Sequence, residues 1–134
     1  MKRPSARLVL ILALVAAAIV AGCSGSTSDS AARGVRTVAA AEAVTMIDSR
    51  TVIDVRTPSE FAAGHIAGAR NIDVEAADFG TRIAELDRNA PYLVYCRSGR
   101  RSAIAADQMK QAGFTDVVDA GALTDLVAAG APTQ

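Results

Sequence analysis

Tryptophan is absent, histidine occurs once, and aromatic residues make up only 4% of the 134 residues. No basic stripe with interleaved aromatics exists on which bases could stack, so nucleic acid is excluded as a partner. Neither sign of charge dominates, with 14 Lys and Arg against 14 Asp and Glu. The single histidine, His65, leaves one candidate for an imidazole base. Two cysteines permit one disulfide at most. No internal repeat is present. The longest apolar run, over 8–20, falls short of the roughly 20 residues that a membrane-spanning helix needs.

That apolar run follows Lys2, Arg3 and Arg7 and leads into Val20-Ala21-Gly22-Cys23. Basic, apolar and small-residue parts in this order read as a secretory signal over 1–22. Val20-Ala21-Gly22-Cys23 resembles the lipobox of bacterial lipoproteins, in which the cysteine is diacylated, typically with palmitate, and becomes the new amino terminus. An ordinary secreted protein cleaved near Ala21, with Cys23 left as a thiol, is the alternative. On the first reading the chain is lipid-anchored on the extracytoplasmic face of the cell membrane, and two acyl chains make that anchoring stable. Residues 23–34, rich in Ser, Gly, Thr and Ala after Cys23, read as a flexible tether. Lipidation also leaves Cys96 without a disulfide partner in an oxidising compartment. Removing 1–22 leaves 11 basic against 14 acidic residues, a formal net charge of −3, on a length suited to one small domain over 35–132.

Within that domain, apolar strand runs alternate with amphipathic helical runs, the pattern of an α/β fold with a mainly parallel sheet. Strands are expected at 35–38, 52–55, 92–95 and 116–118, with a possible strand end at 70–72. Helices are expected over 40–48, after Thr57, over 79–86, over 102–112 with Gly113 as stop, and over 123–129. Thr57-Pro58-Ser59-Glu60 reads as a helix start, with Thr57 as cap and Glu60 completing a capping box. In open α/β sheets, sites gather beyond the carboxyl ends of strands. The 52–55 and 92–95 strands both deliver polar residues there.

Cys96-Arg97-Ser98-Gly99-Arg100-Arg101 carries the chemistry. The apolar run Tyr92-Leu93-Val94-Tyr95 places Cys96 at the end of a buried strand, Gly99 permits a tight turn, and Ser102 is placed to cap the following helix. Inward backbone N–H groups and the positive end of the helix dipole favour an anion in such a loop. The nearest anion is the Cys96 thiolate, whose pKa such surroundings depress from about 8.5. A buried structural cysteine is the alternative reading. Arg101, which closes the loop, is the arginine expected to point inward, whereas Arg97 and Arg100 fit a solvated surface.

Three ordered motifs, Asp54-Val55-Arg56-Thr57-Pro58-Ser59-Glu60-Phe61, Gly64-His65-Ile66-Ala67-Gly68-Ala69-Arg70-Asn71-Ile72 and the Cys96 loop, resemble those of a single rhodanese domain. The resemblance implies a rhodanese-like α/β sandwich with a central sheet flanked by helices, and a sulfurtransferase whose Cys96 carries sulfane sulfur as a persulfide. It makes Cys96 the nucleophile and Arg97, Ser98, Gly99, Arg100 and Arg101 the substrate-binding loop. Partners are then a small anionic sulfur donor such as thiosulfate and a thiol, protein thiol or cyanide acceptor. No cofactor and no metal is required. Asp54, Arg56 and Arg70 read as structural, and so does His65, because its position in the family is a turn away from the cysteine and an ionised thiol needs no base.

The sequence departs from the family at Ala120-Gly121-Ala122-Leu123, where a glycine pair and a tryptophan are usual. Leu126 is a candidate to fill the space. A cysteine phosphatase or arsenate reductase is a rival, but the phosphatase signature places one more residue between cysteine and arginine than the four between Cys96 and Arg101. A different class of rival is a membrane-tethered, non-catalytic sulfur carrier, thiol sensor or binding module.

Overall fold

The computed structural model describes residues 34–134, so the expected signal over 1–22, Cys23 and the expected tether as far as Arg33 lie outside the described residues. Five strands form one sheet: β1 (Gly34–Thr37), β2 (Thr51–Asp54), β3 (Arg70–Asn71), β4 (Tyr92–Cys96) and β5 (Asp116–Ala122). Their order across the sheet is β1-β5-β4-β2-β3, and every pairing is parallel. Helices α1 (Ala40–Met46), α2 (Pro58–Ala62), α3 (Phe79–Ala84) and α4 (Arg100–Gln111) lie in the crossovers that parallel strands require, and α5 (Leu123–Ala128) follows the last strand.

Alternation along the strands divides the core into two layers. Ile53, Val55, Tyr92, Val94, Cys96 and Val117 face one side, where Phe79 and Ile83 of α3 and Ala105, Ala106 and Met109 of α4 cover them. Val52, Leu93, Tyr95, Val118 and Ala120 face the other, against Ala43 of α1 and Leu126 of α5. The α/β class read from the sequence therefore holds, with an entirely parallel sheet. Leu126, the candidate to fill the space left by the absent tryptophan, is fully buried in the layer on the α1 and α5 side.

Element boundaries shift where backbone geometry overrides local pattern. The helix expected over 40–48 ends at Met46 and tightens into a 3-10 turn, Ile47–Ser49. The last strand runs four residues beyond Val118 to Ala122, with Gly121 at φ 76° inside it. At the carboxyl end, Ala67 N–H donates to the Pro132 carbonyl, and His65 and Gln134 exchange two backbone bonds of 2.9 Å. The folded unit thus includes Gly34 and Gln134, one and two residues beyond the 35–132 reading. Among the described residues, no helix is long and apolar enough to cross a membrane.

Candidate functional site

Parallel pairing of β2 with β4 sets the carboxyl ends of the two strands side by side, Asp54 opposite Tyr95. One residue on, β4 shifts register against β5, and Cys96 pairs with Ala122. Such an irregularity bends the strand and re-aims its last side chain. The chain leaves β4 through Gly99, whose φ of 94° lies in the left-handed region that side-chain-bearing residues rarely adopt. Gly121 of β5 backs this turn, with its Cα 3.7 Å from where a Cβ on Gly99 would stand.

This turn starts α4 at Arg100 with Gly99 as its N-cap. Ser102 is therefore not the cap expected from the sequence, because the left-handed glycine begins the helix two residues earlier. Its hydroxyl instead lies inside the first turn, donating to the Gly99 carbonyl at 3.0 Å. Further along, α4 ends as its sequence suggests. Gly113 at φ 90° follows it, and the Gly113 and Phe114 amides close back on Lys110 and Met109.

Cys96 has no exposed surface. The Gly99 amide donates to its Sγ at 3.0 Å, and the Ser102 hydroxyl oxygen lies 3.6 Å from the sulfur. Burial raises the thiol pKa, but the Ser102 hydroxyl and the amides of Ser102, Ser98 and Gly99 outweigh it, and the pKa falls below its ordinary value. Ser102 has one proton for two acceptors. With the thiol neutral, S–H donates to Ser102 Oγ and the hydroxyl donates to Gly99. Ionisation removes the S–H, and the hydroxyl is then free to turn toward sulfur. The donors that meet Cys96 are thus main-chain groups of Ser98, Gly99 and Ser102 with the Ser102 hydroxyl.

Of the three loop arginines, Arg101 departs from the sequence reading. Arg101 does not point at the sulfur; its guanidinium makes a two-point pair with Glu60, at 2.7 and 2.8 Å, and reaches Glu75 at 3.4 Å. A two-point carboxylate matches the guanidinium fork better than a distant thiolate does, which explains the difference. Glu60 thereby performs two tasks, since it also closes the capping box with Thr57 at the start of α2. The Arg101 bond pulls the Glu60 carboxyl down to about 2, against a smaller opposing effect of burial. Arg97 and Arg100 are exposed and have no ion-pair partner among the described residues.

Asp54 and Arg56 form a buried network beside the cysteine strand. Arg56 holds Asp54 through bonds of 2.6 and 3.0 Å and donates to the Gly64 carbonyl at 2.7 Å. Tyr95 Oη donates to Asp54 at 2.7 Å and accepts from the Ile66 amide at 3.0 Å. Arg70 starts β3, at the sheet edge. His65 stacks on Phe61 at a centroid distance of 3.6 Å, and its Nδ1 lies 2.9 Å from the Phe61 carbonyl. A carbonyl only accepts, so Nδ1 carries the proton and Nε2 accepts from the Gln134 amide at 3.0 Å. Neither ring nitrogen bonds Cys96 or its loop.

A cleft of about 470 Å³ opens beside the loop, lined by Val74, Glu75, Ser98, Arg100, Arg101 and Ile104. Sequence reasoning missed Val74, Glu75 and Ile104, because no local motif links them to Cys96. Glu60 was read only as a capping residue, since its Arg101 contact spans 41 positions. Among the described residues, no group of three His, Cys, Asp or Glu side chains is placed to hold a metal ion.

The chain is similar to known proteins. Residues 39–120 match the Rhodanese-like domain family. The thiosulfate sulfurtransferase GlpE of Pseudomonas putida is 46% identical over 77 residues, which cover 55% of this chain and 67% of that protein. The thiosulfate sulfurtransferase PspE of Escherichia coli is 36% identical over 74 residues, covering 55% of this chain and 71% of its own length. Across these and other GlpE proteins, the chain spans between 58% and 71% of the curated relative. Among solved structures, a rhodanese-related protein of Thermoplasma volcanium superposes with a TM-score of 0.66 at 32% identity, over 74% of this chain and 97% of that one.

Proposed function

Because the chain belongs to the rhodanese family, we propose that it is a sulfurtransferase that moves sulfane sulfur from an anionic donor such as thiosulfate to a thiol or cyanide acceptor, through a persulfide on Cys96. The observation that carries this reading is the Gly99 amide donating to Sγ at 3.0 Å beneath a loop whose other donors also lower the thiol pKa. The thiolate attacks the outer sulfur of thiosulfate, the S–S bond of the donor breaks, and sulfite leaves with its electron pair. The terminal sulfur of the resulting persulfide carries the negative charge. A second nucleophile, cyanide or a thiolate, then attacks that sulfur and the Cys96 thiolate leaves, completing a two-step covalent cycle.

Arg97, Ser98, Gly99, Arg100 and Arg101 are the proposed substrate-binding loop, with Arg100 the side chain in the cleft free to meet the donor. Arg101 acts as a positioning residue, tying the loop to α2 through Glu60. Cys96 is fully buried, so donor sulfur reaches Sγ only as the loop yields, and the cleft on Ser98 is the opening beside it. Asp54, Arg56 and His65 hold the scaffold. The amino-terminal pattern supports a lipid anchor at Cys23 on the extracytoplasmic face of the cell membrane, with the domain presented to small donors and protein thiols there.

Incubation with thiosulfate followed by intact-mass measurement tests the chemistry. The expected result is a gain of one sulfur atom that maps to Cys96 and disappears on adding cyanide. No adduct with any sulfane donor would overturn the reading.

A further inference from the structure

Two guanidiniums and two carboxylates gather at the cleft beside the Cys96 loop. Arg100 and Arg101 line the cleft, Glu75 lines it with them, and Glu60 holds Arg101 from the α2 side. Glu60 has a scaffold task there, since it caps α2 and anchors the loop. Glu75 has none. Its side chain is 62% exposed, and its recorded bond is the 3.4 Å approach to a guanidinium that Glu60 already occupies at two points.

A carboxylate at the mouth of an anion-holding loop repels every incoming anion in proportion to that anion's charge. Glu60 holds Arg101 at two points, so Arg100 is the lining cation without an ion-pair partner, and the exposed carboxylate of Glu75 opposes its field. Against that opposing charge a monoanion meets less repulsion than a dianion. The walls add a second constraint. Ile104 is 43% exposed, one of two large apolar side chains so placed among the described residues, and it lines the cleft with Val74. The volume of about 470 Å³ falls in the range of sites for organic ligands and exceeds what a small oxyanion needs.

Resting on the sulfurtransferase reading above, we propose that Glu75 sets the charge of the sulfur donor: the cleft disfavours small dianions and takes a monoanionic organic sulfane donor whose apolar group lies on Val74 and Ile104. Thiosulfonates and organic persulfides have that chemistry. With a thiosulfonate, the Cys96 thiolate attacks the terminal sulfur, the S–S bond breaks, and a sulfinate leaves with the electron pair.

The test compares thiosulfate, a dianion, with benzenethiosulfonate, a monoanion, on the full chain and its Glu75→Gln and Ile104→Ser variants. Because repulsion scales with ligand charge, the fold-gain for the dianion is the square of that for the monoanion. Glu75→Gln is expected to raise kcat/KM about threefold for benzenethiosulfonate and about tenfold for thiosulfate. Ile104→Ser is expected to lower kcat/KM several-fold more for benzenethiosulfonate than for thiosulfate. Equal gains for both donors, or none, in the Glu75 variant overturn the proposal, and so does an Ile104 effect of equal size on both.

A second readout needs no sulfur transfer. In a Cys23→Ser background, where Cys96 is the sole thiol, the rate of alkylation by iodoacetate relative to iodoacetamide is expected to rise about threefold on Glu75→Gln. An unchanged ratio sinks the role of Glu75 even where wild-type transfer is intact. A raised ratio in a chain that accepts sulfur from no donor sinks the sulfurtransferase reading and leaves the charge control of the cleft standing.

Discussion

Replacing Arg56 with alanine is expected to lower the free energy of unfolding by about 3–5 kcal/mol, the usual result of leaving a buried charge unpartnered. Asp54 has no exposed surface and Arg56 is 6% exposed. The guanidinium supplies three of the bonds to the Asp54 carboxylate and one to the Gly64 carbonyl. Without it, the carboxylate keeps only the Tyr95 hydroxyl and the backbone amide of residue 56, which bring no positive charge. Domains of this size are stable by only about 5–15 kcal/mol, so the variant approaches the threshold of folding. Urea unfolding checks this: the midpoint should fall with the slope unchanged. Adding Asp54→Asn to Arg56→Ala should recover part of the loss, because the orphaned charge is then removed. A loss under about 1 kcal/mol would mean that water or another cation replaces the guanidinium.

The second large effect is on chemistry. Cys96→Ser should reduce sulfur transfer from either donor by at least about a thousandfold, because removing the nucleophile removes the covalent path. A serine hydroxyl stays protonated near neutral pH, and the loop donors cannot lower its pKa far enough to change that. Its stability should change little, since the Gly99 amide that meets Sγ at 3.0 Å can donate to an oxygen as well. Steady-state rates and urea midpoints on the same preparation separate the two effects. Residual transfer near the wild-type rate would place the sulfur carrier elsewhere.

The parts legible in the sequence are those set by local pattern. Tyr92-Leu93-Val94-Tyr95 is apolar throughout because β4 is covered on both faces, and Thr57-Pro58-Ser59-Glu60 folds as the capping box its residue types specify. The start of α4 was misplaced because the left-handed backbone of Gly99 moves the cap away from Ser102. Arg101 was misdirected for a different reason: its side chain is long, and its partner is chosen by how α2 docks beside α4. Val74, Glu75 and Ile104 form one cleft only after the sheet brings 74–75 next to the Cys96 loop, a juxtaposition with no local trace. The Asp54, Arg56 and Tyr95 network is intermediate. Its charged members end β2 visibly, but the Tyr95 hydroxyl reaches them from the neighbouring strand, 41 positions away.

Titration of Cys96 in a Cys23→Ser chain, followed by thiolate absorbance and by the rate of iodoacetamide alkylation, tests the central claim most directly. The loop donors depress the thiol pKa in the folded state. Thiolate should therefore persist as pH falls below about 8.5, the value of a free thiol, and vanish only below a lower midpoint. By linkage, ionisation of this group stabilises the fold fully above the unfolded pKa, and that stabilisation is lost as pH falls through the folded pKa. Coincident midpoints below about 8.5 by both readouts are the predicted result. A midpoint at or above that value would mean that burial outweighs the amides and the Ser102 hydroxyl, and the account of a loop built to hold a sulfur anion would be contradicted.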